Sequence, residues 1–543
     1  EMQRSLVGSE MCIRDRYRII VFGTFLLGIG GMLNAQTTIY DANRLMGSDL
    51  NGTARFVGMG GAMGALGGDI STMGTNPAGI GIYRSNDVMV SFGFVNVGSK
   101  DAGGSSIDKF HGSFDNAGFI FTNKIGNSTP LRYVNFGFNY HRTKSFDKNM
   151  VMNGVFGQSQ TTFMADLLNF YDGEFSPVTV ESIKAAGAYE NPDIPWLGIL
   201  GYDSQLVRPG YIKEEGKEDV FDGYDPYLHP GDKVRQAYTA RERGGLHSYD
   251  FNVSFNLYDR FYLGATIGAY SLDYKRTSLY KEDFIGADGN DYGGYDLGND
   301  YWTSGGGVDF KVGFIWRPIE SSSFRIGGAI HTPTFYSITE HNHAYIAYDL
   351  AVEDLKPGSA EIVNRNGNPM DGEYEYRLVT PWKFNLSTGY TFGSVAAFGV
   401  EYEYSNYSSA KLKDVDGITL EQTDDIKSMM KGVHTFRAGV EFKLAPEFAF
   451  RLGYNHITAS MKPEAYKWIQ SNSIRTDTEY SNLGATNNYT LGFGYRGSTF
   501  YADMAYQYNT YKESFYAFDN LDLRATEITN NNHKVLLTVG MRF

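Results

Sequence analysis

From Asn86 to Phe543 the chain is written in short runs of strict alternation. Phe251, Val253, Phe255 and Leu257 share one face, while Asn252, Ser254 and Asn256 share the other. After a turn at 258–259 the alternation resumes, with Phe261, Leu263, Ala265 and Ile267 against Tyr262, Gly264 and Thr266. Period two over four to eight residues marks a β-strand with two different faces. The same signature recurs at 382–404, 436–454 and 491–506. Read this way, strands are predicted at 86–98, 116–125, 131–143, 245–257, 260–275, 300–316, 323–337, 373–392, 395–408, 432–444, 447–459, 486–496, 499–512 and 533–543. That is an even number, fourteen, joined alternately by short turns near 126–130, 258–259, 317–322, 393–394, 445–446 and 497–498 and by longer loops.

Short turns at one rim and long loops at the other are the topology of an all-β, 14-stranded antiparallel transmembrane barrel. A soluble sandwich or propeller would also alternate, but no fixed repeat of 40 to 50 residues occurs here. The apolar face is Phe, Leu, Val and Tyr, whereas Glu401, Glu403, Arg437, Glu441, Arg451 and Asp503 fall on the opposite face. A lipid-facing reading therefore expects these six to point inward and pair. The last run, "HKVLLTVGMRF", puts Val535, Leu537, Val539, Met541 and Phe543 on one face and resembles the terminal signal read by the barrel assembly machinery.

Composition fits. The chain has 64 glycines, 40 tyrosines and 37 phenylalanines but only 15 prolines, the usage of aromatic strands joined by glycine-containing turns. A mean hydropathy of -0.34 is no argument against a membrane barrel, since only alternate residues meet lipid. The net charge of -14 argues against a nucleic-acid partner. The single cysteine, Cys12, lies in a polar stretch, residues 1–16, that resembles translated adapter sequence. Residues 17–35 have the basic start, the apolar run and the Leu33-Asn34-Ala35 end of a signal peptide.

Residues 58–85, "GMGGAMGALGGDISTMGTNPAGIGIYRS", hold nine glycines in 28 positions directly before the first strand. Their spacing fits neither G-x-G-x-x-G nor a Lys-bearing phosphate loop. Small residues suit a segment threaded through a crowded lumen, Pro77 fixes a turn and Asn76 can bond nearby backbone. An ordinary flexible linker is the plainer reading. Residues 52–85, with Asn76, Pro77 and Ala78 matching residue by residue, resemble the N-terminal region of the FadL family of outer-membrane transporters. The resemblance implies a hatch, residues 36–85, inside a barrel of residues 86–543, with Asn76, Pro77, Ala78 and Gly79 as the gate. It also implies passive inward passage of small hydrophobic molecules such as fatty acids and aromatic hydrocarbons. Gly68-Asp69-Ile70 stands where family hatches usually carry an acidic pair, and the loop at 144–244 is longer than is typical of the family.

That loop carries Phe163, Met164, Leu167, Leu168, Phe170 and Tyr171 at helical spacing, and Trp196 and Leu197 in "IPWLGILGY". These are candidates for an extracellular capture groove, or for a small loop core. Asp288, Asp291, Asp296 and Asp300, or Asp414 and Asp416, match no EF-hand spacing. His341 and His343 bear on a haem-receptor alternative. Neither G-x-S-x-G nor H-E-x-x-H occurs, so no catalytic residue, metal or cofactor is expected. The expected partners are a hydrophobic ligand, outer-membrane lipid and lipopolysaccharide, and the protein is expected to be monomeric. A shuttle for secreted proteins is the alternative from another class.

Overall fold

The structure, a computed structural model, describes residues 37–213, 219–470 and 472–543; the expected adapter-like stretch and signal peptide lie outside the described residues. Fourteen strands form a closed antiparallel barrel. They are β1 (Asp87–Asp101), β2 (Ser106–Lys124), β3 (Leu131–Ser145, continued by Lys148–Phe156), β4 (Lys233–Leu257), β5 (Phe261–Ile285), β6 (Asp291–Trp316) and β7 (Arg325–His331, continued by Phe335–Leu350). Then come β8 (Gly372–Val379, continued by Lys383–Phe392), β9 (Ala396–Asn406), β10 (Gly432–Lys443), β11 (Phe448–Ile457), β12 (Tyr480–Leu483, continued by Thr486–Arg496), β13 (Phe500–Tyr516) and β14 (Thr526–Arg542). Closure comes from β1 pairing with β14, Val90 opposite Val539, and Asn86 and Phe543 exchange backbone hydrogen bonds at 3.1 and 3.2 Å just below.

The tightest turn explains how one rim stays short. Tyr258 and Asp259 both take left-handed backbone, φ 57° and 56°, the conformation that matches strand twist in a two-residue hairpin. The Asp259 amide donates to Asn256 Oδ1 at 3.0 Å, which holds the turn.

The outward face near this rim is apolar and rimmed by rings. Trp316, Phe392, Phe448, Phe500 and Phe543 are exposed at the lower edge. At the upper edge Tyr140, Tyr402 and Tyr506 share hydrogen bonds with His247, His434 and His533 at 2.8 to 2.9 Å. A lipid-exposed apolar band between aromatic girdles is the outside of a membrane barrel. No helix of the described residues is long and apolar enough to cross a membrane.

Several strands run well past their expected ends. β4 begins at Lys233, β5 continues to Ile285, β6 begins at Asp291 and β7 continues to Leu350. The connections expected at 99–115 and 276–299 are therefore mostly paired strand, with tight turns at 102–105 and 286–290. Conversely, the strands expected unbroken at 323–337 and 373–392 are interrupted side by side. Pro333 and Pro381 lack the amide that a ladder needs, and Thr334 and Thr380 bridge the gap through the Thr334 amide on Thr380 Oγ1, 2.8 Å, and the Thr380 amide on the Thr334 carbonyl, 3.1 Å.

Candidate functional site

Three layers fill the lumen. The lowest is built by residues 50–85. Thr53 caps the short helix α2 (Ala54–Gly58), which follows α1 (Ile39–Met46), by accepting from the Phe56 amide. Beyond it the backbone lies directly on the wall. A side chain at Gly60, φ 61°, would stand 2.7 Å from the Tyr454 amide, and the wall glycines reciprocate. Cβ atoms at Gly264, Gly313, Gly399, Gly439 and Gly453 would come within 2.1 to 2.4 Å of Pro77, Asn76, Ala62, Met59 and Gly60. Glycine on both sides is what permits this approach.

Asn76, Pro77, Ala78 and Gly79 are brought together at this floor, in a 3-10 turn spanning Pro77–Ile82. The Asn76 carboxamide oxygen accepts from the Ala78 amide at 3.2 Å, while its Nδ2 donates to the Gly64 carbonyl at 2.8 Å and to the Phe314 carbonyl of β6 at 3.0 Å. Ser254 and Asn252 of β4 donate to the Pro77 carbonyl at 3.0 and 3.3 Å, and His331 Nε2 pairs with the Thr75 carbonyl at 2.8 Å. Asp69 Oδ2 accepts from Thr53 Oγ1 at 2.7 Å, tying the start of the segment to its middle.

The six charges expected to face inward do so and pair. Arg451 bridges Glu441 and Asp503 at 2.6 Å each, and Arg55 of the threaded segment joins Glu441 at 3.2 Å. Arg437 holds Glu401 at 2.6 Å and Glu403 at 3.2 Å, and Glu401 in turn accepts from the Gly64 amide at 2.9 Å. Opposite, Lys311 sits between Asp250 and Asp309 at 3.1 and 2.9 Å. Buried charges are tolerated only when paired and hydrogen-bonded, and here Glu401 and Glu441 also locate pieces of the floor, at Gly64 and Arg55.

Above the floor lies a cavity of about 420 Å³. Its lining mixes the charged Arg44, Lys144, Glu242 and Glu403 with the apolar Val95, Val97, Phe146 and Met150. Near Phe146 and Met150 the wall has a break. β2 pairs with β3 only over Asn116–Lys124, against Tyr133–His141. Higher up, β3 pairs with β4 alone; from β2 Lys109 Nζ reaches Asp147 at 2.8 Å, and Asp101 at the end of β1 accepts from the Asn153 amide at 3.0 Å. The seam starts at the Phe114 and Tyr140 pair, ring centroids 5.3 Å apart, at the upper edge of the apolar band. Sequence reasoning missed both cavity and seam. The available signal was "HRTKS", residues 141–145, a polar run where a strand should alternate, and the structure has a register shift there between Arg142 and Lys144.

The third layer is a cap. Residues 157–232 contribute α3 (Gln160–Asn169), α4 (Val180–Lys184) and α5 (Trp196–Asp203). Met164, Leu167, Leu168, Trp196 and Leu197 are all buried in one cluster with Tyr280, Tyr295 and Ile346 of the wall, and Phe163 packs against it. Trp196 Nε1 donates to the Tyr189 carbonyl at 2.8 Å, and Phe170 meets Phe175 edge to face at 5.7 Å. Met164, Leu167, Leu168, Trp196 and Leu197 thus form the core of the cap.

The acidic candidates for calcium are occupied otherwise. Asp288 accepts from the Asn290 amide at 3.0 Å, Lys281 pairs with Asp296 at 2.5 Å, Thr277 donates to Asp300 at 2.6 Å, and Asp414 accepts from the Ile418 amide at 2.7 Å. His343 stands between Glu361 and Asp371 at 3.1 and 3.2 Å, and His341 stacks on Trp302. Among the described residues no cluster of three or more His, Cys, Asp or Glu is arranged to hold a metal ion.

A closed, even-stranded antiparallel barrel with an apolar outer band and a filled polar lumen defines a bacterial outer-membrane barrel. Its overall shape is similar to solved outer-membrane transporters. A Pseudomonas aeruginosa FadL homologue aligns over 91% of this chain and 99% of its own, with 13% identity and a TM-score of 0.49. The Pseudomonas putida toluene transporter TodX aligns over 92% and 100%, with 10% identity and a TM-score of 0.44. The Ralstonia pickettii toluene transporter TbuX aligns over 91% and 99%, with 12% identity and a TM-score of 0.42. No protein-family model matches the chain, and no curated protein matches it in sequence.

Proposed function

We propose that this protein is an outer-membrane channel for passive uptake of small hydrophobic molecules, with residues 70–80 as its gate. The observation that carries the reading is the central cavity, lined by α1 and the residues after it to Asn51, by Val95 and Val97 of β1 and by the stretch of β3 from Arg142 to Met150 that β2 does not pair. A solute held there meets Val95, Val97, Phe146 and Met150, and touches the floor segment at Leu50 and Asn51. Passage inward then requires the Asn76-Pro77-Ala78 turn to leave its bonds with β4 and β6. Those bonds are few and polar, so water can replace them as the turn moves.

The test is flux in proteoliposomes, with toluene and a fatty acid as probes. Removing residues 70–80 is expected to raise single-channel conductance and to change uptake of both. Thr75→Cys with His331→Cys, joining floor to wall, is expected to suppress uptake until the disulfide is reduced. Flux that ignores both the deletion and the cross-link in a folded barrel refutes the gate.

A further inference from the structure

Outside the lumen, one patch of the wall gathers three cations that make no salt bridge among the described residues. Arg243 of β4 lies directly opposite Lys275 of β5, and Arg241 follows two residues along the same outward face, opposite Thr277. Both arginines are exposed and Lys275 is half-buried. Directly opposed side chains of an antiparallel pair stand roughly 5 Å apart, and like charges so placed repel. Glu242, between the arginines, points inward and accepts from the Tyr274 hydroxyl at 3.0 Å. Asp273 shares the outward face two residues from Lys275, yet none of the three cations has a salt bridge among the described residues. Asp300 of β6, bonded by Thr277, is the other carboxylate beside them, so three cations stand against two carboxylates, a local inversion in a chain of net charge -14.

Their height is specific. On β4 the outward series Leu257, Phe255, Val253, Phe251 and Tyr249 is apolar or aromatic, and on β5 the series from Phe261 to Ala269 is likewise apolar. Arg243 and Lys275 each come six residues later. At ~3.3 Å per residue on a strand tilted by about 40°, that is roughly 15 Å above the band. This is the zone of lipid headgroups and the first sugars of an outer leaflet. Trp302 of β6 stands opposite Lys275, whose Nζ is 5.7 Å from the ring centroid, and an indole at that level suits an interface that is apolar below and wet above.

We propose that Arg241, Arg243 and Lys275 form a binding site for the acidic headgroup of an outer-leaflet glycolipid, a lipid whose phosphate groups lie against the wall beside Trp302. Two guanidinium forks and an ammonium supply charge-assisted donors from three sides, and the anion removes the repulsion between opposed strands. The acyl chains continue down the apolar band below. This site is independent of the channel and of its gate, and it needs only the barrel to be folded in its membrane.

The test uses refolded full-length barrel in detergent, titrated with bisphosphorylated lipid A, with its dephosphorylated form and with inorganic phosphate, and read by native mass spectrometry. The variant Arg241→Ala/Arg243→Ala/Lys275→Ala is expected to bind the phosphorylated lipid about a hundredfold more weakly, since each basic residue at an anionic lipid surface contributes roughly a factor of five. Arg241→Lys/Arg243→Lys is expected to stay within about tenfold of the parent, because the charges remain. Heat-modifiable migration on gels certifies that each variant is folded. Equal affinity for the dephosphorylated lipid, or unchanged binding by the triple variant, overturns the proposal. Inorganic phosphate saturating the site at the same concentration as the lipid overturns the commitment to a lipid.

Discussion

The two halves of β5 obey opposite rules within one unbroken strand. From Phe261 to Ala269 the apolar residues face out and Tyr262, Gly264, Thr266 and Gly268 face the lumen. From Ser271 onward the outward residues are Ser271, Asp273, Lys275 and Thr277, while Leu272, Tyr274, Tyr280 and Phe284 face in and are buried. The apolar face follows the solvent: lipid outside the lower half, water outside the upper half. What fills the barrel changes with it. Below, a glycine-rich segment is locked by ion pairs and backbone contacts; above, a helical cap is held by an apolar core. The lesson is that one barrel closes its lumen by two different kinds of chemistry, each matched to the inner wall it meets.

Breaking one kind should leave the other standing. The largest effect is expected from Arg451→Met, which takes from Glu441 one of its two arginines and leaves the buried Asp503 carboxylate unpaired, at a cost of ~3 to 5 kcal/mol. Denaturant unfolding of the refolded barrel should show the loss, and hydrogen exchange should locate it in residues 50–85 with α3 unaffected. Leu168→Ala works in the opposite sense. It opens a hole in the cap core, should cost ~2 to 5 kcal/mol there, and should speed exchange in α3 and α5 while the floor keeps its protection.

The strand itself supplies the next contrast. Ile267→Arg sits in the apolar band and should destabilise by ~2 to 4 kcal/mol if near the midplane. Ser271→Arg, above it on the same face, should stay within about 0.5 kcal/mol. Equal costs at the two positions would erase the distinction between halves.

The smallest expected effect is a pH dependence of the cap. Glu282 lies far above the last lipid-facing residue of β5 and binds the start of α3, accepting from Ser159 Oγ and from the Gln160 amide at 2.9 Å. Burial pushes its carboxyl up to about 7, although these donors favour the charged form. A folded-state pKa above the unfolded one means that the contribution is complete below about 4.5 and is lost as pH rises through about 7. Amide exchange in α3, corrected for intrinsic rates, should therefore show tighter docking near about pH 5 than near about pH 8, and Glu282→Gln should flatten the difference.

How much of this was legible follows from the same inversion. The lower halves of the strands were readable because Phe, Leu and Val on one face against Asn, Ser and Gly on the other leave a clear period of two. The turn at Tyr258-Asp259 and the inward pairing of Arg437 with Glu401 and Glu403 were readable for the same reason. The upper halves were read as loops. In "SLDYKRTSLYKEDFI", residues 271–285, the alternation persists with its phase reversed, and charged residues at every few positions look like a solvated connection. The floor was legible as small residues before a strand, but the wall glycines that receive it were not. Gly399, Gly439 and Gly453 each sit in an otherwise ordinary strand, and only three-dimensional register shows what passes between them. The seam was illegible because it arises from pairing that stops, and a strand that loses its neighbour keeps its own alternation.

The way the floor is threaded also has a history in time. The Ala54 amide donates to Thr538 Oγ1 at 2.7 Å, across 484 residues, and Asn51 Nδ2 bonds Asp115 at 2.9 Å. Residues 50–85 therefore touch the first strands and the last ones. Backbone wedged into gaps too narrow for a methyl group cannot slip in after the sheet has closed. The earliest part of the barrel to be synthesised must wait, already in place, until β14 arrives to shut the circle against β1. Contacts so remote in sequence form slowly, because the entropy of the whole intervening chain is spent first. Whatever holds the half-built sheet open in the cell is holding it open around a guest.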